Sequence, residues 1–97
     1  MNRLLLIDIG GTNMRYATAY SDSDEISTIN KKAFNETTFY KNLEELIKEH
    51  NISTLIMSVA GPKIDNSITM TNKNFSFNQN NLKEKFKLKE CYLLNDW

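Results

Sequence analysis

The 97-residue chain has one cysteine, one proline, one histidine, three glycines and no surplus of either charge. With a single thiol, Cys91, no internal disulfide can form. Its apolar neighbours read as a buried thiol in a reducing compartment. Twelve basic residues balance twelve acidic ones, so no overall positive field draws in nucleic acid or an anionic membrane surface. Long apolar runs are also missing. Leu4-Leu5-Leu6-Ile7 stops at Asp8, whereas an export signal needs about 7–15 apolar residues and a spanning helix about 20. The expectation is one cytoplasmic domain over residues 1–97, with no nucleic-acid or membrane partner.

Leu4–Ile9 is almost continuously apolar, the pattern of a strand buried on both faces. Gly10-Gly11 interrupt it, and Met14–Tyr20, rich in β-formers, reads as a second strand. A weaker third strand is expected over Glu25–Phe34. Phe39, Leu43, Leu46 and Ile47 then recur at helical spacing, which predicts a helix capped by Thr37 or Thr38 and ended by Asn51 in the left-handed conformation. Ser53–Ala60 reads as a strand stopped by Gly61-Pro62, and Ile64–Thr71 as a small hairpin around Asp65-Asn66-Ser67. Asn78 caps a short helix over Gln79–Lys87 whose lysines, with Lys89, form a solvated face. Glu90–Leu94 is the last strand. The order β-β-β-α-β-hairpin-α-β implies an α/β fold, a mixed sheet with helices packed on it.

Two places carry chemistry. In Asp8-Ile9-Gly10-Gly11-Thr12-Asn13 the glycines free the backbone to close around phosphate oxygens. Thr12 adds a hydroxyl, and Asp8 a carboxylate of the kind Mg²⁺ prefers. The two common phosphate-loop patterns are absent, and both lead into a helix, whereas this turn leads into a strand. Taken alone, the segment also fits a plain hairpin turn. Asn95-Asp96 follows a strand end, where ligands collect in open α/β sheets. Asp96 could accept a proton from an attacking hydroxyl and Asn95 could hold sugar hydroxyls, although the pair alone better suits the start of a loop. Asn72-Lys73-Asn74-Phe75-Ser76-Phe77 mixes amide, ammonium and aromatic groups, which suits either a polar pocket or a solvated edge over packed rings. His50 reads as a surface residue.

In series, these pieces resemble the N-terminal domain of bacterial-type glucokinase. Asp8–Arg15 is similar to that family's first phosphate motif and Ser58-Val59-Ala60-Gly61-Pro62 to its small-residue turn. Met70-Thr71-Asn72, with Phe75 and Phe77, is similar to a methionine–threonine–asparagine segment, and Leu94-Asn95-Asp96-Trp97 to the catalytic motif. The resemblance implies a ribonuclease-H-like mixed sheet, the N-terminal lobe of a sugar kinase of the hexokinase–actin–chaperone ATPase superfamily. It implies transfer of the ATP γ-phosphoryl group to the 6-hydroxyl of D-glucose, with ATP and Mg²⁺ required. Asp96 would be the base and Asn95 would orient the sugar, bordered by Asn72, Lys73 and Asn74. Asp8 would hold Mg²⁺, while Ile9, Gly10, Gly11, Thr12, Asn13 and Arg15 would face the nucleotide.

The chain departs from the family at Phe75, where tryptophan is common, at Trp97, where phenylalanine is, and at Lys73 and Asn74, which replace histidine and threonine. These departures bear on sugar preference. Family members also continue well past this length. The chain alone is therefore expected to turn over very slowly or not at all, and an uncovered apolar patch leaves a homodimer open. Alternative readings are a kinase for another hexose or amino sugar, of the repressor/ORF/kinase group, and a non-catalytic sugar-sensing half-kinase.

Overall fold

Eight strands and two helices make up the described part of the chain, a computed structural model that describes residues 3–10, 12–20, 22, 25–70 and 75–95. β1 (Arg3–Gly10), β2 (Asn13–Tyr20) and β3 (Asn30–Ala33) form an antiparallel meander. α1 (Phe39–Glu49) carries the chain to β4 (Thr54–Val59), which pairs parallel to β1. β5 (Lys63–Ile64), β6 (Ser67–Thr69) and β7 (Ser76–Asn78) form a small antiparallel sheet of their own. α2 (Gln79–Lys85) leads to β8 (Glu90–Asn95), parallel to β4. The main sheet has the order β3-β2-β1-β4-β8.

The crossovers from β3 through α1 to β4 and from β4 through α2 to β8 step across the sheet in one direction. Right-handed crossovers that advance the same way lie on the same face, so both helices pack on one side. There Phe39, Leu43, Ile47 and Leu82 meet Leu5, Ile7, Ile9, Leu55, Met57, Val59, Cys91 and Leu93 in one buried cluster. Each such side chain contributes about 1.5–3 kcal/mol on burial.

The opposite face corrects the first expectation from sequence. β1 is buried on one face only: Leu4 and Leu6 are half-buried and Asp8 is exposed. The apolar run is there, but no described element crosses that side. β3 is also shorter than expected. Ile26 makes a lone bridge to Ala19, and Ser27 bonds Thr18 through both its N–H (2.8 Å) and its side-chain oxygen (2.8 Å), so a regular ladder starts only at Asn30.

Helix ends follow local chemistry. Asn51 has φ 53° and Ile52 N–H donates to Ile47 C=O at 2.9 Å, closing α1. Thr38 occupies the N-cap position, without a side-chain cap bond. α2 stops two residues before Lys87, because Lys87 takes φ 52° and Leu88 N–H donates back to Lys83 C=O at 2.9 Å. Its start matches expectation, with the Asn78 side chain accepting from Asn81 N–H at 3.0 Å. The two-residue turn Asp65-Asn66, with φ 56° at Asp65, joins β5 and β6. β7 was not legible in the sequence, because three residues are too few to show a period.

Candidate nucleotide and sugar site

The C-terminal ends of the parallel strands β1, β4 and β8 meet at one edge of the main sheet. Ile9 stands opposite Val59, Val59 opposite Asn95, and Ala60 N–H donates to Ile9 C=O at 3.3 Å. This edge gathers the β1–β2 turn, the Ser58–Pro62 segment and Asn95, which are far apart in sequence.

In the turn, Gly10 and Asn13 pair. Phe34 N–H donates to Thr12 C=O at 2.9 Å, and Asn13 Nδ2 donates to Thr12 Oγ1 at 3.3 Å. Gly10 has no positive φ, and a Cβ added to it would meet nothing within 4 Å. Neither backbone strain nor packing therefore demands glycine there. What the missing side chain leaves is open space against the backbone, which is what a phosphate group approaching N–H donors needs. Next to it, Asp8 stands across from Arg15 on β2 and from Ser58 on β4, all three on the helix-free face. An exposed carboxylate flanked by a hydroxyl fits Mg²⁺, which keeps several waters and takes one or two carboxylates along with substrate phosphates. Among the described residues no cluster of three or more His, Cys, Asp or Glu forms an all-protein metal cage.

Gly61 has a different reason to be glycine: a Cβ there would collide with the Thr69 carbonyl oxygen. That close approach seats the small sheet against the end of β4. The β6–β7 hairpin then closes with Met70 N–H donating to Phe75 C=O at 2.9 Å and Thr69 Oγ1 bonding Ser76 Oγ at 2.8 Å. Gln79 Oε1 accepts Leu93 N–H at 3.1 Å, tying α2 to β8 just before Asn95.

Of the residues singled out from sequence, Asp8, Gly10, Thr12, Asn13, Arg15 and Asn95 are exposed at or beside this edge. Ile9 lies within the turn motif but points its side chain into the core, where it is fully buried. Gly11, Asn72, Lys73, Asn74 and Asp96 lie outside the described residues. Ser58 joins the Asp8 row without having been chosen as a site residue; its signal was a small residue near the end of an apolar strand. An open cavity of about 380 Å³ extends from this row along the helix-free face, between Leu6, Ile56 and the Ile26–Ile29 segment. Cys91 plays no part. Burial pushes its thiol up to about 11, against a weaker opposite pull from Lys83.

The model of the family described as Glucokinase matches residues 5–97. A glucokinase from Colwellia psychrerythraea is 36% identical over 97 residues, covering 96% of this chain and 29% of that protein. In structure, a glucokinase from an Antarctic psychrotroph superposes with TM-score 0.80 at 21% identity, over 99% of this chain and 33% of its own. A glucokinase from Balamuthia mandrillaris in complex with glucose superposes with TM-score 0.72 at 21% identity, over 97% and 29%. These structural likenesses are likenesses of fold. The chain spans less than a third of the length of the relative from Colwellia.

Proposed function

This chain belongs to the glucokinase family, and on that premise we propose that it is the N-terminal part of a kinase that transfers the ATP γ-phosphoryl group to the 6-hydroxyl of D-glucose. The observation that carries the reading is Gly10, a glycine that the fold does not need, beside Asp8 at the edge where β1, β4 and β8 end. Backbone N–H groups of the Gly10–Asn13 turn bind the phosphates, and the Thr12 hydroxyl adds a donor. Arg15 contributes positive charge next to Asp8. Asp8 would hold Mg²⁺, which would supply positive charge to the transferring phosphates.

On the sugar side, Asn95 orients the hydroxyls with its amide, and Asn72, Lys73 and Asn74 border the ring. The Asp96 carboxylate accepts the proton of the 6-hydroxyl while that oxygen attacks the γ-phosphorus and the bond to the β-bridging oxygen breaks. The protein is a cytoplasmic sugar kinase in this reading. Turnover by this chain alone is very slow, because phosphoryl transfer depends on holding both substrates from two sides in a site that excludes water.

The test is an amide NMR titration of the ¹⁵N-labelled chain, first with D-glucose and then with Mg-ATP, with mannose and N-acetylmannosamine as parallel arms. Saturable shifts at Asn95 with glucose, and at Gly10 and Thr12 with Mg-ATP, are expected. Stronger shifts with either of the other two sugars would move the substrate away from glucose. A dispersed spectrum indifferent to every sugar and to Mg-ATP would sink the proposal. In a coupled assay, ordinary kinase turnover by these residues alone would overturn the claim that the chain is incomplete as a catalyst.

A further inference from the structure

Two backbone bonds hold the two halves of the proposed site, and aromatic rings join them. Phe34 fixes the nucleotide turn, since its N–H donates to Thr12 C=O at 2.9 Å. Phe75 closes the sugar-side hairpin, since its C=O accepts Met70 N–H at 2.9 Å. Their rings touch edge to face, with centroids 5.9 Å apart and planes at 82°. Phe39 of α1 packs on both, at 5.5 Å from Phe34 and 6.3 Å from Phe75. Phe77 backs Phe75 at 4.9 Å and Phe39 at 5.3 Å. Phe34 and Phe39 are buried, whereas Phe75 is half-buried at the rim.

We propose that the Phe34–Phe75 ring pair is a positioning device. It sets the spacing between the Thr12 turn, which binds nucleotide, and the Met70–Phe75 hairpin base, which carries the sugar-side residues. The inference rests on the function proposed above and adds a mechanical link within that site. Edge-to-face ring pairs suit this role, because they hold orientation as well as contact. Each ring belongs to a residue whose own main chain makes one of the two bonds, so the ring contact restrains both anchors, and losing it frees them to shift. Neither ring touches substrate; both act through the loops they brace.

Ligand-free hydrogen exchange tests the link without depending on any ligand. In Phe75→Leu, exchange of the Phe34 amide should speed up at least tenfold relative to Leu55 in central β4, which reports global opening. In Phe34→Leu the Met70 amide should respond in the same way. Phe75→Tyr, which keeps the ring, should restore protection. Phe86→Leu, which removes a ring that stacks on Tyr40 rather than on Phe34, should leave the Phe34 amide unchanged.

Mg-ATP titration adds the functional arm. Phe75→Leu should weaken the saturation of Thr12 shifts at least threefold, and Phe86→Leu should not. The inference is overturned if Phe75→Leu perturbs only its own hairpin, or if Phe86→Leu loosens the Phe34 amide equally. A wild-type chain that ignores Mg-ATP yet keeps the exchange coupling would instead defeat the proposed function and leave the link standing.

Discussion

Gly10 and Gly61 are glycines for opposite reasons. At Gly10 a methyl group has room and the backbone is not strained; at Gly61 it would collide with the Thr69 carbonyl. Gly10→Ala should therefore leave the urea midpoint unchanged or raise stability by up to about 1 kcal/mol, through a less flexible unfolded chain. The same variant should lose the Mg-ATP shifts at Thr12. Gly61→Ala should cost roughly 1–3 kcal/mol as the small sheet is forced off β4. A matched loss of stability in both variants would remove the case for a phosphate cradle at Gly10.

Cys91 gives a prediction in pH. Its thiol is raised from 9.0 to about 11 by burial, so the folded state holds the proton more tightly than the unfolded one. No stability is lost well below pH 9.0, and stability falls as pH rises from there through about 11. Tyr40, whose phenol burial also raises, acts in the same direction above its ordinary value of 10.0. In Cys91→Ala the alkaline part of the stability curve should flatten, as read from thermal melts between pH 8 and 11. The native thiol should resist alkylation at pH 8 until denaturant is added.

Among the elements, β8 states the asymmetry of the main sheet in six residues. Cys91 and Leu93 face the helices and are buried, while Tyr92 and Leu94 on the other side are 46% and 50% exposed. Leu93→Ala should cost about 2–5 kcal/mol, a large core truncation. Tyr92→Lys should change stability by no more than about 0.5 kcal/mol. Urea denaturation of both variants checks the contrast, and equal costs would mean that Tyr92 is covered in solution. The helices were the most legible elements, because Phe39, Leu43 and Ile47 recur at helical spacing and Asn51 and Asn78 mark ends. β3 was foreseen but over a longer range, because it is exposed throughout and shows no period to mark its start, and β7, with three residues, leaves no alternating pattern at all.

Across the whole molecule, the helix-free face runs Ala17–Leu6–Ile56–Tyr92 from β2 to β8 as one apolar row, with Ile26 and Ile29 exposed beside it. Sheets built from parallel strands are ordinarily covered on both sides. The native chain should accordingly bind an apolar fluorescent dye at neutral pH, and Ile56→Lys should reduce that signal while leaving the far-ultraviolet circular dichroism unchanged. An unenhanced wild-type signal would mean that the face is covered.

What the sequence determined by itself was the order of the main-sheet strands and the two helices, the apolar stripe of α1, the Asn51 and Asn78 helix ends, and the motifs that led to a sugar-kinase family. All of these are local: they depend on spacing within a few residues and on backbone chemistry that neighbours in the chain dictate. Tertiary structure decided the rest. It set Asp8 between Arg15 and Ser58, brought Asn95 to the edge where the Gly10 turn ends, and left Gly61 no room for a side chain and Gly10 sterically free. Among the described residues it also left without a packed helix a face whose apolar run reads as doubly buried. The handedness of the crossovers sends both helices to one side of the sheet, and nothing in the order of residues along β1 can show which of its two apolar faces they will choose.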